Sequence, residues 1–134
     1  MVSVLVADDD KDTRDVLRIA FEDAGYAVAE AADGVQALEA VRASAAPLVV
    51  VLDLDLPRLD GIGVIQAVAH DASLAARHSF VLLTALAHHR YQAAEAVCAT
   101  LGVPFMLKPF DVDALLGAVA DAAHTIASAR RNGD

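Results

Sequence analysis

Short apolar runs alternate along this chain with longer stretches in which apolar residues recur every three or four positions. Val2 to Ala7 is a valine-rich run halted by Asp8, Asp9 and Asp10, the pattern of a strand buried on both faces that stops at a polar edge. From Asp12 to Ala24 the positions Val16, Leu17, Ala20, Phe21 and Ala24 follow helical spacing, and Gly25 is the expected stop. The alternation then repeats. Tyr26 to Ala31 reads as extended and Gly34 to Ser44 as helical through Ala37, Leu38 and Val41. Leu48 to Asp53 is extended, Gly61 to His70 helical, Phe80 to Thr84 extended and Tyr91 to Leu101 helical. Val103 to Leu107 and Asp111 to Ala127 form the last pair. The runs LVVVLD and FVLLT hold no polar residue between their ends, as expected of central parallel strands covered by helices on both faces. The expected architecture is an α/β (βα)5 sandwich over residues 1–127, followed by a tail, SARRNGD, at 128–134.

Composition narrows the function classes. A length of 134 residues suits one domain, and 57% apolar with 22% charged residues supports a packed core. Thirty alanines add little volume, so the bulk must come from Val, Leu, Ile and four Phe. Ten basic residues against nineteen acidic ones leave a net charge of -9. The pairs Arg77-His78 and Arg130-Arg131 are too small to track phosphates, which argues against direct nucleic-acid binding. Cys98 is the single cysteine, so an intrachain disulfide and a cysteine-based zinc site are both excluded. The N-terminus carries carboxylates where a secretion signal needs an apolar core. No apolar stretch reaches the roughly 18–20 residues of a spanning helix, so a cytoplasmic protein without membrane contact is expected.

Chemistry gathers where the strands end. Asp8, Asp9 and Asp10 close the first strand, Asp53 and Asp55 the third, Thr84 the fourth, and Lys108 precedes Pro109 after the fifth. In an open parallel sheet these carboxyl ends border the functional crevice. Carboxylates converging there repel one another unless a hard cation sits among them, and an oxygen-only ligand set suits Mg²⁺ or Mn²⁺. With the Lys108 charge and the Thr84 hydroxyl, the set fits a phosphoryl group carried on an aspartate. Plainer roles compete: Asp10 or Asp12 caps the first helix, and Asp60-Gly61 forms a turn shaped with Pro57. Thr84 and Phe105 also suit strand and core. His70, His78, His88, His89 and His124 show no ligand spacing and read as solvated, while Cys98 reads as buried packing.

The stretches VLVADDD, VVVLDLDLPRLDG, LLTA and LKPF, in that order and spacing, resemble the receiver domains of bacterial two-component response regulators, single-domain type, over residues 3 to about 127. The resemblance implies a flavodoxin-like three-layer sandwich with a five-stranded parallel sheet of order 2-1-3-4-5. It implies Asp53 as phosphoacceptor, with Asp8, Asp9, Asp53 and the backbone carbonyl of Asp55 holding Mg²⁺. Thr84 and Lys108 would bind the phosphoryl oxygens, Thr84 and Phe105 would form the switch, and a cis bond before Pro109 would aim Lys108 inward. Asp55 and Leu86 fall where the family influences loss of the phosphoryl group. The implied function is a signalling switch of a phosphorelay, not an enzyme beyond catalysing its own phosphorylation and dephosphorylation. Its partners would be a sensor histidine kinase or histidine phosphotransfer protein and a downstream protein target or output domain. A homodimer through the fourth helix, fifth strand and fifth helix is a further expectation. Two departures stand out: the segment from Thr84 to Lys108, containing ALAHHRYQ, is about two residues longer than in the best-known single-domain relatives, and Gly102-Val103-Pro104 replaces the usual Gly-Ala. Two rival readings are a receiver-like interaction module working without phosphorylation and a haloacid dehalogenase-like phosphatase, whose D-x-D motif would follow the first strand instead of the third.

Overall fold

The computed structural model describes residues 2–85 and 87–133. Five parallel strands, β1 (Ser3–Ala7), β2 (Val28–Ala31), β3 (Leu48–Asp53), β4 (Ser79–Ala85) and β5 (Phe105–Lys108), lie in the order β2-β1-β3-β4-β5. The helices are α1 (Lys11–Asp23), α2 (Gly34–Ala43), α3 (Gly61–Ala69), α4 (Ala72–Arg77), α5 (Tyr91–Leu101) and α6 (Val112–Gly133). The strand order is the one implied by the sequence resemblance, and it reverses between β1 and β3.

Alternate residues of each central strand supply two separate cores, as the period-two geometry of a strand requires. Leu5, Val50, Leu52 and Leu82 pack against α2, α3 and α5, including Val41, Ile65 and Cys98. Val4, Val6, Val49, Val51, Val81 and Leu83 pack against Leu17 and Phe21 of α1 and Leu115 and Val119 of α6. This explains the runs without polar residues: both faces of β3 are covered, and all six of its residues are buried.

Several elements differ from the sequence reading, β5 among them, which runs from Phe105 to Lys108 instead of from Val103 to Leu107. The segment after α3 contains a sixth helix, α4, started by Asp71, whose Oδ1 accepts from the Ser73 and Leu74 backbone N–H groups. Only Leu74 of this helix is buried, so it leaves no apolar period to read. β2 begins at Val28 instead of Tyr26, because Gly25 (φ 98°) turns the chain and the Tyr26 ring packs edge-on to Phe21 at 6.4 Å. The last helix continues to Gly133, beyond residue 127.

The register carries the strand ends to one edge. Ala7 pairs with Leu52, Asp53 with Leu83, Thr84 with Leu107 and Ala85 with Lys108. Asp8, Asp53, Thr84 and Lys108 therefore leave the sheet within one crevice, on either side of the point where strand order reverses.

Candidate phosphoacceptor site

The carboxylates are held by their own local turns. Asp8 is buried; its Oδ1 accepts from the Asp10 N–H at 2.9 Å, and its carbonyl accepts from Arg14 at 2.7 Å. Asp10 is turned away from this crevice to cap α1, accepting from Asp12 N and from the Thr13 hydroxyl. Of the three consecutive aspartates, Asp8 and Asp9 thus remain for the crevice. Asp53 is 7% exposed, and its Oδ1 accepts from the Asp55 N–H at 3.1 Å. The loop beyond it folds back tightly: a Cβ on Gly61 would lie 2.8 Å from the Asp53 carbonyl oxygen. Glycine at 61 is therefore a steric requirement of the loop, and Asp60 beside it caps α3 through Gly63 N at 2.8 Å. The turn expected at Asp60-Gly61 has this geometry.

Lys108 crosses from the last strand to the first and third. Its Nζ lies 2.6 Å from Asp53 Oδ2 and 3.3 Å from Asp8 Oδ2, and the Lys108–Pro109 bond is cis. Burial raises the Asp53 carboxyl above its ordinary range, and the Lys108 bond only partly offsets this. Burial works against the Lys108 ammonium as well, but the hydrogen bond and charge of Asp53, then those of Asp8, outweigh it and hold the lysine protonated.

One oxygen each from Asp8, Asp9 and Asp53 lies within 4.8 Å of the others. That donor set is all oxygen, carries three formal negative charges and has one exposed member, Asp9, open to solvent. It fits a hard divalent cation that retains several waters.

Thr84 is buried, and its hydroxyl donates to the Ala85 carbonyl at 3.4 Å. Phe105 is half-buried with its ring edge-on to Tyr91 at 6.1 Å. The Asp55 side chain is 82% exposed and faces His88. Leu86 lies outside the described residues.

Two histidines correct the solvated reading. His78 is buried, and its Nδ1 accepts from the Leu48 N–H at 3.0 Å. His88 is largely covered, with Nε2 at 3.8 Å from Asp55 Oδ1 and its ring stacked on His89. The Arg90–Asp60 ion pair is a further feature that sequence reasoning missed. Cys98 is buried as expected, and burial pushes its thiol pKa up.

Comparison with known proteins bears on the family and the fold. Residues 4–120 match the family model described as response regulator receiver domain. The chain is 33% identical over 121 residues to the DNA-binding dual master transcriptional regulator RpaA of Synechocystis, a match covering 89% of this chain and 48% of that protein. It is 49% identical over 63 residues to the response regulator MprA of Mycobacterium ulcerans, covering 47% of this chain and 27% of the relative. The chain thus spans half or less of the length of these relatives. Among solved structures, a CheY-like receiver domain protein from Methanospirillum hungatei superposes with a TM-score of 0.80 at 26% identity, covering 95% of this chain and 98% of that one. The chemotaxis response regulator CheY4 of Vibrio cholerae gives 0.77 at 26% identity, covering 91% and 98%.

Proposed function

This chain belongs to the family of response regulator receiver domains, and from that premise we propose that it is a phosphorelay switch that receives a phosphoryl group on Asp53. The observation that carries the proposal is the grip of Lys108 on both Asp53 and Asp8, with Asp9 completing a three-carboxylate cluster. The donor is a phosphohistidine of a sensor kinase or phosphotransfer protein. In the transfer, the bond from phosphorus to the donor nitrogen breaks and a bond to an Asp53 oxygen forms, with little other covalent chemistry for the protein to perform.

Asp8, Asp9, Asp53 and the Asp55 carbonyl would hold Mg²⁺, which supplies positive charge against the phosphoryl oxygens when bound. The chain's own residues do the rest. Lys108 neutralises the charge that accumulates as a dianion approaches the buried carboxylate, using a charge-assisted hydrogen bond already formed to Asp53. The Asp55 N–H fixes the orientation of the Asp53 carboxylate. Thr84 offers its hydroxyl to a phosphoryl oxygen in place of the weak bond to Ala85, and Phe105, packed by β4 and α5, responds to that change. The switch is thereby a shift between two packings, biased by the contacts that the phosphoryl group makes in one of them.

Docking of the donor fits the rim of the site. Val16 and Ile19 of α1 are exposed large apolar residues, and Val16 shares a groove with Lys108, Pro109 and Phe110. The output partner is a protein target or output domain, and Leu107 exposes apolar surface on the edge strand β5, whose face with α5 and α6 is where a homodimer would form.

Acetyl phosphate with Mg²⁺ should add one phosphoryl mass to the intact chain, and Asp53→Asn should abolish the addition. Labelling retained in Asp53→Asn would overturn the assignment.

A further inference from the structure

The connection between β4 and α5 approaches the loop after β3 at two places, through an Arg90–Asp60 ion pair and a looser His88–Asp55 contact at 3.8 Å. His88 and Arg90 lie four and six residues beyond Thr84, while Asp55 and Asp60 lie two and seven beyond Asp53. The Arg90 guanidinium pairs with Asp60 Oδ2, and the other oxygen of the same carboxylate caps α3. The Arg90 backbone N–H donates to His88 Nδ1 at 3.0 Å, which in the neutral ring leaves the hydrogen on Nε2, the atom facing Asp55. Arg90 therefore acts twice: its side chain grips one end of the phosphoacceptor loop, and its backbone sets the imidazole that lies against the other.

We propose that Arg90 is a positioning residue for phosphoryl chemistry at Asp53, holding the segment after Thr84 in the unphosphorylated arrangement so that recruitment of the Thr84 hydroxyl works against this hold. The proposal rests on Asp53 being the phosphoacceptor. Thr84 is the next-to-last residue of β4, just ahead of this connection, and its hydroxyl is bonded weakly to Ala85. Moving Thr84 toward a phosphoryl group draws the following residues with it, while the Arg90–Asp60 pair anchors them to the loop that follows Asp53. A contact made in only one of two states changes the apparent affinity for a ligand of the other by the strength of that contact. For a partly exposed ion pair this is about a twofold to fivefold effect.

The test uses beryllofluoride, a phosphoryl mimic, titrated calorimetrically into the intact chain at saturating Mg²⁺. Asp60→Asn keeps an oxygen to cap α3 and removes the charge, and Arg90→Gln removes the other partner. Each should tighten binding about twofold to fivefold, the double variant should tighten it no further, and Arg90→Lys should return it toward the parent. Thermal melts of the same proteins report whether each variant is folded, and two independent single variants keep the outcome decidable if one is not. Parent-like affinity in both single variants, or weaker binding in both, would overturn the positioning role. No binding by the parent would remove the phosphoacceptor reading itself, and with it the role assigned to Arg90.

Discussion

His78 joins two strands by a single ring nitrogen. Its Nδ1 accepts from the Leu48 N–H at the start of β3, and its buried Nε2 has no hydrogen-bond partner among the described residues. A protonated ring could not accept that bond, and burial together with the nearby Arg77 charge holds the imidazole below its ordinary pKa of 6.5. The unfolded chain therefore binds the proton more readily than the folded one. Stability contributed here is complete above 6.5 and is lost as the pH falls from there through the lower folded value. His78→Asn retains an acceptor near the Nδ1 position without the titration. Urea midpoints at pH 7 and pH 5 should drop further in the parent than in His78→Asn; equal drops would mean that the ring contributes nothing to acid sensitivity.

The elements owe their approach to particular glycines. A Cβ at Gly34, the first residue of α2, would lie 1.7 Å from the Leu59 carbonyl oxygen, so backbone must move to admit it. Gly34→Ala should cost about 3 kcal/mol, as overpacking against an unyielding neighbour does. Gly117 is exposed within α6 and a Cβ there would meet nothing within 4 Å among the described residues, so Gly117→Ala should gain about 0.5–1 kcal/mol from helix propensity alone. Urea denaturation of both variants separates the two cases by sign. The same scale explains what the sequence made legible. Leu48 to Asp53 was readable as a central strand because burial on both faces demands an unbroken apolar run. Asp8, Asp53 and Lys108 were readable together because parallel strands deliver their last residues to one edge. α4 escaped notice because a six-residue helix with one buried side chain has no period to detect. The bonds from Leu48 to His78 and from Arg90 to Asp60 each join residues thirty positions apart on different parts of the fold, and no local pattern announces such partners.

Across the whole molecule, charge is unevenly placed: the cores are apolar on both sides of the sheet, and the three clustered carboxylates meet at one edge of it. A cation that binds only this folded arrangement stabilises it by mass action. Millimolar Mg²⁺ should raise the melting temperature of the parent, and Asp9→Asn should remove that rise; equal rises in both would indicate general screening. Without metal, the balance runs the other way. Burial raises the pKa of Asp53, so holding it ionised costs folded stability as the pH climbs from the unfolded carboxyl value through the folded one, and Asp9 adds like charge beside it. In metal-free buffer Asp9→Asn should therefore melt about 1–3 °C above the parent. A library of this chain screened for heat tolerance in the absence of divalent ions would then enrich neutral residues at positions 9 and 53, and its hardiest members would be those least able to carry a signal.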